Sequence, residues 1–349
     1  MKAGIDDPYL DTLGGGERYC LTLAEFLLSC GWEVDFFWEG KNLKNKIKKR
    51  FRVNLKKVNF FPRPKNLTQK LLKHRQYDLL FHLSDGSIPF MFGKKNILHL
   101  QVPFKKVNGQ SLINKIKFLT INKVVCNSFF TKGFIDKEFE VKSVVIYPPV
   151  DLQEFKPGKK ENLIFSAGRF SQLLQAKRQD ILVKAFKDLV NDGLRGWRLI
   201  LAGGSEVGGS QYLHRIKKMT KGYPIEIQEN ISFKKLAELY SQAKIFWSAS
   251  GFGINEDLHP ERVEHFGITV VEAMAAGVVP ILIKKGGFKE IVQEGKSGFF
   301  WEIKDELKQK TRQLIENQFI LEKTGKEAIK RSKIFSKEKF ISDVKKVIF

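Results

Sequence analysis

The chain predicts an α/β protein made of two doubly wound domains, and three observations carry that expectation. Short apolar segments alternate with amphipathic helical patterns up to about residue 150, and the alternation then starts afresh. Between the two runs lies a stretch with Pro148, Pro149, Pro157, Gly158 and several lysines. Alternating β and α implies parallel sheets, whose strands are covered on both faces and therefore read as unbroken apolar runs. With 349 residues and 42% apolar side chains, the chain suits two domains of ordinary size, each with its own core.

In the first half, a very short strand at residues 2–5 leads to Gly14-Gly15-Gly16, and a helix is expected over 17–29. Strands follow at 34–38, 58–61, 77–83, 96–100, 124–127 and 144–147, with helical patterns at 67–75 and 128–139. The second half places strands at 163–167, 198–202, 245–249 and 279–283. Before the last of these, a short helix is opened by Gly267, carries core-facing residues from Val270 to Ala276, and is stopped by Gly277. At the end of the chain Phe340, Ile341, Val344, Val347 and Ile348 recur with helical period. The expected domains are residues 1–153 and 154–334, followed by a terminal helix over 335–349.

Composition narrows the function classes. No run of eighteen apolar residues exists, so no spanning helix is expected, and the N-terminus enters a strand-like segment without a signal pattern. Cys20, Cys30 and Cys126 are odd in number and far apart, which reads as reduced thiols in a cytoplasmic protein. No His/Cys cluster has zinc spacing and no Asp-x-Asp pair offers itself to a catalytic divalent ion, so no metal or cofactor is expected.

The formal charge of +23 is unevenly spread, and between Lys41 and Arg75 there is no acidic residue at all. Such a stretch suggests nucleic acid, yet no recognition module accompanies it. An anionic membrane surface is the preferred functional reading, since each Lys or Arg near one contributes on the order of 1 kcal/mol. The competing reading is a solvated basic face.

Glu264 and Glu272 stand seven residues apart in Glu264-His265-Phe266-Gly267-Ile268-Thr269-Val270-Val271-Glu272. Glu264 falls in the loop before the short helix and Glu272 inside it. The open N–H groups at that helix start suit a phosphate, whereas two carboxylates beside a phosphate need polar partners of their own, such as sugar hydroxyls.

These surroundings resemble the retaining nucleotide-sugar glycosyltransferases of glycosyltransferase family 4, which have the GT-B fold. The landmarks run in order along nearly the whole chain: Gly14-Gly15-Gly16-Glu17-Arg18, Asn127-Ser128-Phe129-Phe130-Thr131, Tyr147-Pro148-Pro149-Val150-Asp151, Gly168-Arg169-Phe170 and Lys177-Arg178-Gln179-Asp180. Gly251-Phe252-Gly253, Glu264-His265-Phe266-Gly267, Glu272-Ala273-Met274 and Gly286-Gly287-Phe288-Lys289-Glu290 complete the series. The Glu-His-Phe-Gly-Ile wording is similar to mannosyltransferases of lipid-linked oligosaccharide assembly.

The resemblance implies two Rossmann-like domains facing across a cleft, with the terminal helix crossing back to the first domain. It implies transfer of a hexosyl, on this wording mannosyl, group from a GDP- or UDP-sugar to a glycan or lipid-linked acceptor, without a metal. By the same resemblance Glu264 faces the donor sugar, Glu272 the ribose, and Arg169 and Lys177 clamp the diphosphate. Gly15, Gly16 and the backbone at Phe266, Gly267 and Ile268 would approach the donor, and Gly253 lies in a loop shaping the sugar pocket. Two departures stand out. Arg178 is an alternative to Lys177 because residues 171–176 lengthen the gap after Arg169. Gln101 occupies the position of a histidine usual in the family, leaving His99 and Gln101 as sugar or acceptor contacts.

Competing readings are a GT-B epimerase, which needs an acid/base set, a phosphorylase, which carries a pyridoxal lysine pocket, and a non-catalytic basic protein binding nucleic acid or membrane. The joint presence of Arg169, Glu264 and Glu272 argues against the last.

Overall fold

The computed structural model describes residues 1–12, 14–39, 43–51, 55, 57–172, 175–204 and 210–349, with the backbone alone for 48–51. Lys41 and the side chains of Lys48, Lys49 and Arg50, part of the basic stretch, lie outside the described residues. The chain divides into two compact units, residues 1–149 with 337–349 and residues 150–336. The divisions fall a few residues from those expected at 153/154 and 334/335. The reason is a parallel bridge between Val150 and Ser336, reinforced by the Val150 N–H donating to the Phe335 carbonyl at 3.1 Å, which keeps both ends in the second unit.

The first unit contains β1 (Lys2–Asp6), α1 (Gly15–Ser29), β2 (Glu33–Phe37), α2 (Leu43–Phe51), β3 (Val58–Phe61), α3 (Leu67–His74), β4 (Leu79–Leu83), β5 (Lys95–Leu100), α4 (Leu112–Phe118), β6 (Lys123–Cys126), α5 (Phe129–Phe139) and β7 (Val144–Val145). Its parallel sheet has the order β3-β2-β1-β4-β5-β6-β7. The order reverses between β1 and β4, and the loop after β1 carries the glycine run. Ser128 starts α5 by accepting the Thr131 N–H on its hydroxyl at 3.0 Å, a side-chain cap of the usual kind.

The second unit contains β8 (Leu163–Ala167), α6 (Gln179–Asn191), β9 (Arg198–Gly203), α7 (Ser210–Thr220), β10 (Ile225–Glu229), α8 (Phe233–Gln242), β11 (Ile245–Ser248), α9 (Ile268–Ala275), β12 (Val279–Ile283), α10 (Phe288–Ile291), β13 (Phe299–Trp301), α11 (Lys304–Glu316) and α12 (Gln318–Ser332). The order β10-β9-β8-β11-β12-β13 again reverses once, between β8 and β11. In open parallel sheets ligands bind outside the carboxyl ends of the strands at such a reversal.

The terminal helix α13 (Lys337–Ile348) belongs to the first unit. Phe340, Val344 and Ile348 are buried in the core that α1 and the sheet form, and each contributes about 1.5–3 kcal/mol by leaving water. Lys337 donates to the Glu25 carboxylate at 2.5 Å, and the Lys95 ammonium caps the Ile348 carbonyl at 2.7 Å. Among the described residues no helix is long and apolar enough to cross a membrane.

Candidate functional site

The second unit brings three of the sequence-singled side chains together at the β8/β11 reversal. Arg169 follows β8 in a turn with little freedom. The Gly168 N–H donates to the Ala202 carbonyl and the Phe170 N–H to the Gly204 carbonyl, both at 2.9 Å, while Phe170 is fully buried. Buried Gln179 donates its amide to the Gly168 and Arg169 carbonyls at 3.2 and 3.1 Å, and Tyr212 holds Gln179 from behind by donating to its Oε1 at 3.1 Å. The Arg169 backbone is therefore fixed while its side chain is exposed.

Lys177 stands just ahead of α6 and donates to Glu264 Oε2 at 2.5 Å, with the two side chains 19% and 15% exposed. Its stem passes where a Cβ on Gly168 would meet Lys177 Cγ at 2.8 Å, so only glycine at 168 leaves room. Burial pushes the Glu264 carboxyl upward, but the Lys177 ammonium, then His265 and Arg169, outweigh it and hold the pKa below its ordinary value. Glu264 is thus an ionised carboxylate among cations.

Arg178 does not compete with Lys177 for this position. In the left-handed conformation at φ 51° it starts α6, and its guanidinium spans both Asp180 oxygens at 3.1 and 3.2 Å. It also donates to the Phe252 carbonyl at 2.8 Å and lies over the Phe252 ring. Arg178 ties the loop after β11 to α6. Sequence reasoning missed this clamp, although an arginine two residues before Asp180 was a visible signal.

Glu264 and His265 are threaded against Gly286 and Gly287. The Gly287 N–H donates to the Glu264 carbonyl at 2.8 Å, and a Cβ on Gly286, whose φ is +55°, would overlap that same carbonyl oxygen. Glu256, in the loop after β11, accepts the Gly286 N–H at 2.6 Å and the Lys289 ammonium at 2.8 Å. His265 is buried, and the Gln175 amide nitrogen approaches its Nδ1 at 2.7 Å.

The helix after Glu264 starts where the sequence places it. Gly267 caps α9 at φ 116° against the Phe288 ring, and Ile268 and Thr269 are half-exposed at its first turn, where N–H groups have no partner within the helix. The Phe266 ring is buried against Phe335, so only its backbone can meet a ligand. Glu272, 3% exposed, accepts from the Tyr240 hydroxyl at 3.1 Å. Gly253 is exposed at φ +78° beside a cavity of about 410 Å³ that Gln172, Gln175, Arg178, Phe252, Ile254 and Arg262 line.

In the first unit α1 begins at Gly15 instead of residue 17, so Gly15 and Gly16 form its opening turn. Gly16 lies on the Gln101 side-chain amide, which a Cβ would overlap, and Gly15 is exposed. The glycine run and Gln101 are thereby brought together. His99 is placed differently from the expectation of a sugar or acceptor contact. It is fully buried, stacked on Tyr19 at 4.1 Å and on Phe81 at 5.7 Å, and burial lowers its pKa to about 3. It is a neutral core residue with no surface to offer. His82 is also buried and pairs through Nδ1 with Asp6 at 3.0 Å.

Beneath the glycine run, fully buried Asp7 accepts the Tyr9 N–H at 3.0 Å, and the Glu17 carboxylate accepts the Gly14 N–H. Burial first, then the Glu17 charge, pushes the Asp7 carboxyl up from 3.8 to about 7. A raised acid pKa favours the folded state below pH 3.8 and loses that contribution as pH rises toward 7. Asp7→Asn is therefore expected to raise the melting temperature at pH 8 more than at pH 4. Equal shifts at the two pH values, measured by thermal denaturation, would assign Asp7 no such titration.

Comparison with known proteins agrees along the chain. The family Glycosyl transferases group 1 matches residues 150–331, and Glycosyltransferase Family 4 matches residues 13–154. An uncharacterised glycosyltransferase of Methanocaldococcus jannaschii is 27% identical over 237 residues, 66% of this chain and 61% of that protein. The GDP-Man:Man(3)GlcNAc(2)-PP-Dol alpha-1,2-mannosyltransferase of Dictyostelium discoideum is 25% identical over 232 residues, 55% of this chain and 44% of that one. The match thus spans about half the length of these curated relatives. The crystal structure of Anabaena HepE in complex with UDP and glucose superposes with a TM-score of 0.74 at 16% identity, covering 99% of this chain and 98% of that one, which shows the fold alone. The chain belongs to the group 1 and family 4 glycosyltransferases and has their GT-B fold.

Proposed function

We propose that this protein is a retaining glycosyltransferase that passes a hexosyl group from a nucleotide diphosphate sugar to an acceptor hydroxyl. The observation that carries the reading is the meeting of Arg169, Lys177 and ionised Glu264 where the strand order reverses between β8 and β11. In this reading Arg169 and Lys177 hold the diphosphate, with the α9 N-terminus adding its N–H groups. Glu264 meets the donor sugar. The bond between the anomeric carbon and the phosphate oxygen breaks, and the acceptor oxygen bonds to that carbon on the same face. The acceptor proton passes to the departing phosphate, so no separate base is invoked.

In this reading Arg169, Lys177 and the α9 start take up the charge of the leaving nucleoside diphosphate, and no metal is invoked. GDP-mannose is the preferred donor, supported by the mannosyltransferases among the relatives, with UDP-sugars as the alternative. The preferred acceptor is lipid-linked, and the basic residues between Lys41 and Arg75 would favour an anionic membrane surface.

Calorimetric titration with GDP-mannose and UDP-glucose, followed by a transfer assay, tests the reading. Binding of neither sugar nucleotide would overturn it. Glu272→Ala is expected to weaken GDP or UDP binding by about 1–3 kcal/mol, the range for a hydrogen bond to a charged group. Unchanged nucleotide affinity would remove Glu272 from the ribose.

A further inference from the structure

The helix α4 turns its apolar side outward. At 3.6 residues per turn Leu112, Ile116 and Leu119 fall in one stripe with Ile113 beside it, and these side chains are 75%, 44%, 85% and 51% exposed. Phe118 points the other way and packs edge-on against Phe139 at 5.7 Å, which anchors the helix to the core. Val107, in the preceding loop, is exposed as well. That loop is held in place, because the Glu138 carboxylate accepts the N–H groups of Lys106 and Val107, each at 2.8 Å.

Single exposed aliphatic residues are ordinary, but a contiguous stripe marks a surface that meets something other than water. The charges around it say what. Lys115 and Lys117 flank the stripe on its two sides, and Lys105 and Lys106 are exposed in the loop before it. The neighbouring acids are engaged: Glu138 with the loop, and Glu140 with Lys115 at 3.1 Å. With Lys115 balanced by Glu140, the positive charge at the border of the stripe comes from Lys117, Lys105 and Lys106. An apolar centre bordered by such ammonium groups matches the acyl boundary and anionic headgroups of a bilayer. A seven-residue helix is a small share of the roughly 800 Å² per partner that a stable protein interface buries.

We infer that α4, with the loop before it, is an interfacial wedge that inserts Leu112, Ile113, Ile116 and Leu119 into an anionic bilayer while its lysines contact the headgroups. The inference deepens the lipid-linked-acceptor reading and rests on it for its purpose, but not for its test. It moves the main anchor from the basic stretch between Lys41 and Arg75 to α4.

The test is sedimentation of the full chain with phosphatidylcholine/phosphatidylglycerol vesicles and with phosphatidylcholine alone. It compares wild type, the triple variant Leu112→Gln/Ile116→Gln/Leu119→Gln, and the charge variant Lys44→Gln/Lys46→Gln. Wild type is expected to bind the anionic vesicles, and the triple variant at least about tenfold more weakly with an unchanged melting temperature and unchanged sugar-nucleotide binding. The charge variant is expected to retain most of the binding. Equal vesicle binding by the triple variant and wild type would overturn the proposal. So would loss of all binding in the charge variant alone, or a wild-type dimer that the triple variant abolishes without changing vesicle binding. Failure to bind sugar nucleotides would sink the enzymatic reading while leaving the vesicle result to stand or fall alone.

Discussion

Glu264→Gln is expected to abolish sugar transfer while leaving GDP or UDP affinity within about 1 kcal/mol of wild type. The variant keeps the volume and one hydrogen-bond acceptor for Lys177, so the 2.5 Å contact has a neutral replacement and the loop threaded against Gly286 and Gly287 need not move. What disappears is the negative charge. In the wild type that charge persists because Lys177, His265 and Arg169 together overcome the burial that would otherwise protonate the carboxyl. The lowered pKa also sets the pH behaviour. The Glu264–Lys177 pair is intact above the ordinary carboxylate range and is lost only as pH falls through the depressed value. Product formation gives the rate and calorimetry the affinity. Turnover near that of wild type would remove Glu264 from the donor sugar. A loss of nucleotide affinity equal to that of Lys177→Ala would make it merely the counter-ion of Lys177.

The fold was legible because doubly wound sheets leave a plain trace. β4, β8, β11 and β12 are covered on both faces and read as apolar runs. β10 and β13 leave a weaker trace in the sequence, each for its own reason. β10 is an edge strand whose Glu226 and Gln228 interrupt the apolar pattern, and β13 has three residues. Glycines marked the site well, since Gly168, Gly267 and Gly286 are each placed where a Cβ would strike Lys177, Phe288 or the Glu264 carbonyl. The side-chain partners that aim the site were not legible. Gln179 beneath Arg169, Tyr240 against Glu272 and Glu256 on the Gly286 N–H come from other elements, brought close only by the parallel crossovers. His99 misled for a related reason: alternation gives the face a strand residue occupies, and the depth of α1 over that face decides whether it meets solvent or Tyr19.

Arg169→Ala is expected to lower the transfer rate by roughly 10²–10³-fold, the usual effect of removing one group that stabilises charge developing in a transition state. The fold should be indifferent to the change. The backbone on either side of Arg169 is secured by the Ala202 and Gly204 carbonyls and by the Gln179 amide, and the lost side chain is exposed. An unchanged melting temperature is the control. Arg169→Lys should recover only part of the rate, because an ammonium supplies charge without the planar fork that matches two phosphate oxygens. Lys177 remains in both variants as a single point of charge, so nucleotide binding should weaken without vanishing. If Arg169 and Lys177 do the neutralising, wild-type turnover should also survive EDTA. Activity lost to EDTA and restored by Mg²⁺ or Mn²⁺ would transfer that role to a metal. Arg169→Ala turnover equal to wild type would leave Lys177 and the α9 N-terminus as the sole partners of the departing diphosphate.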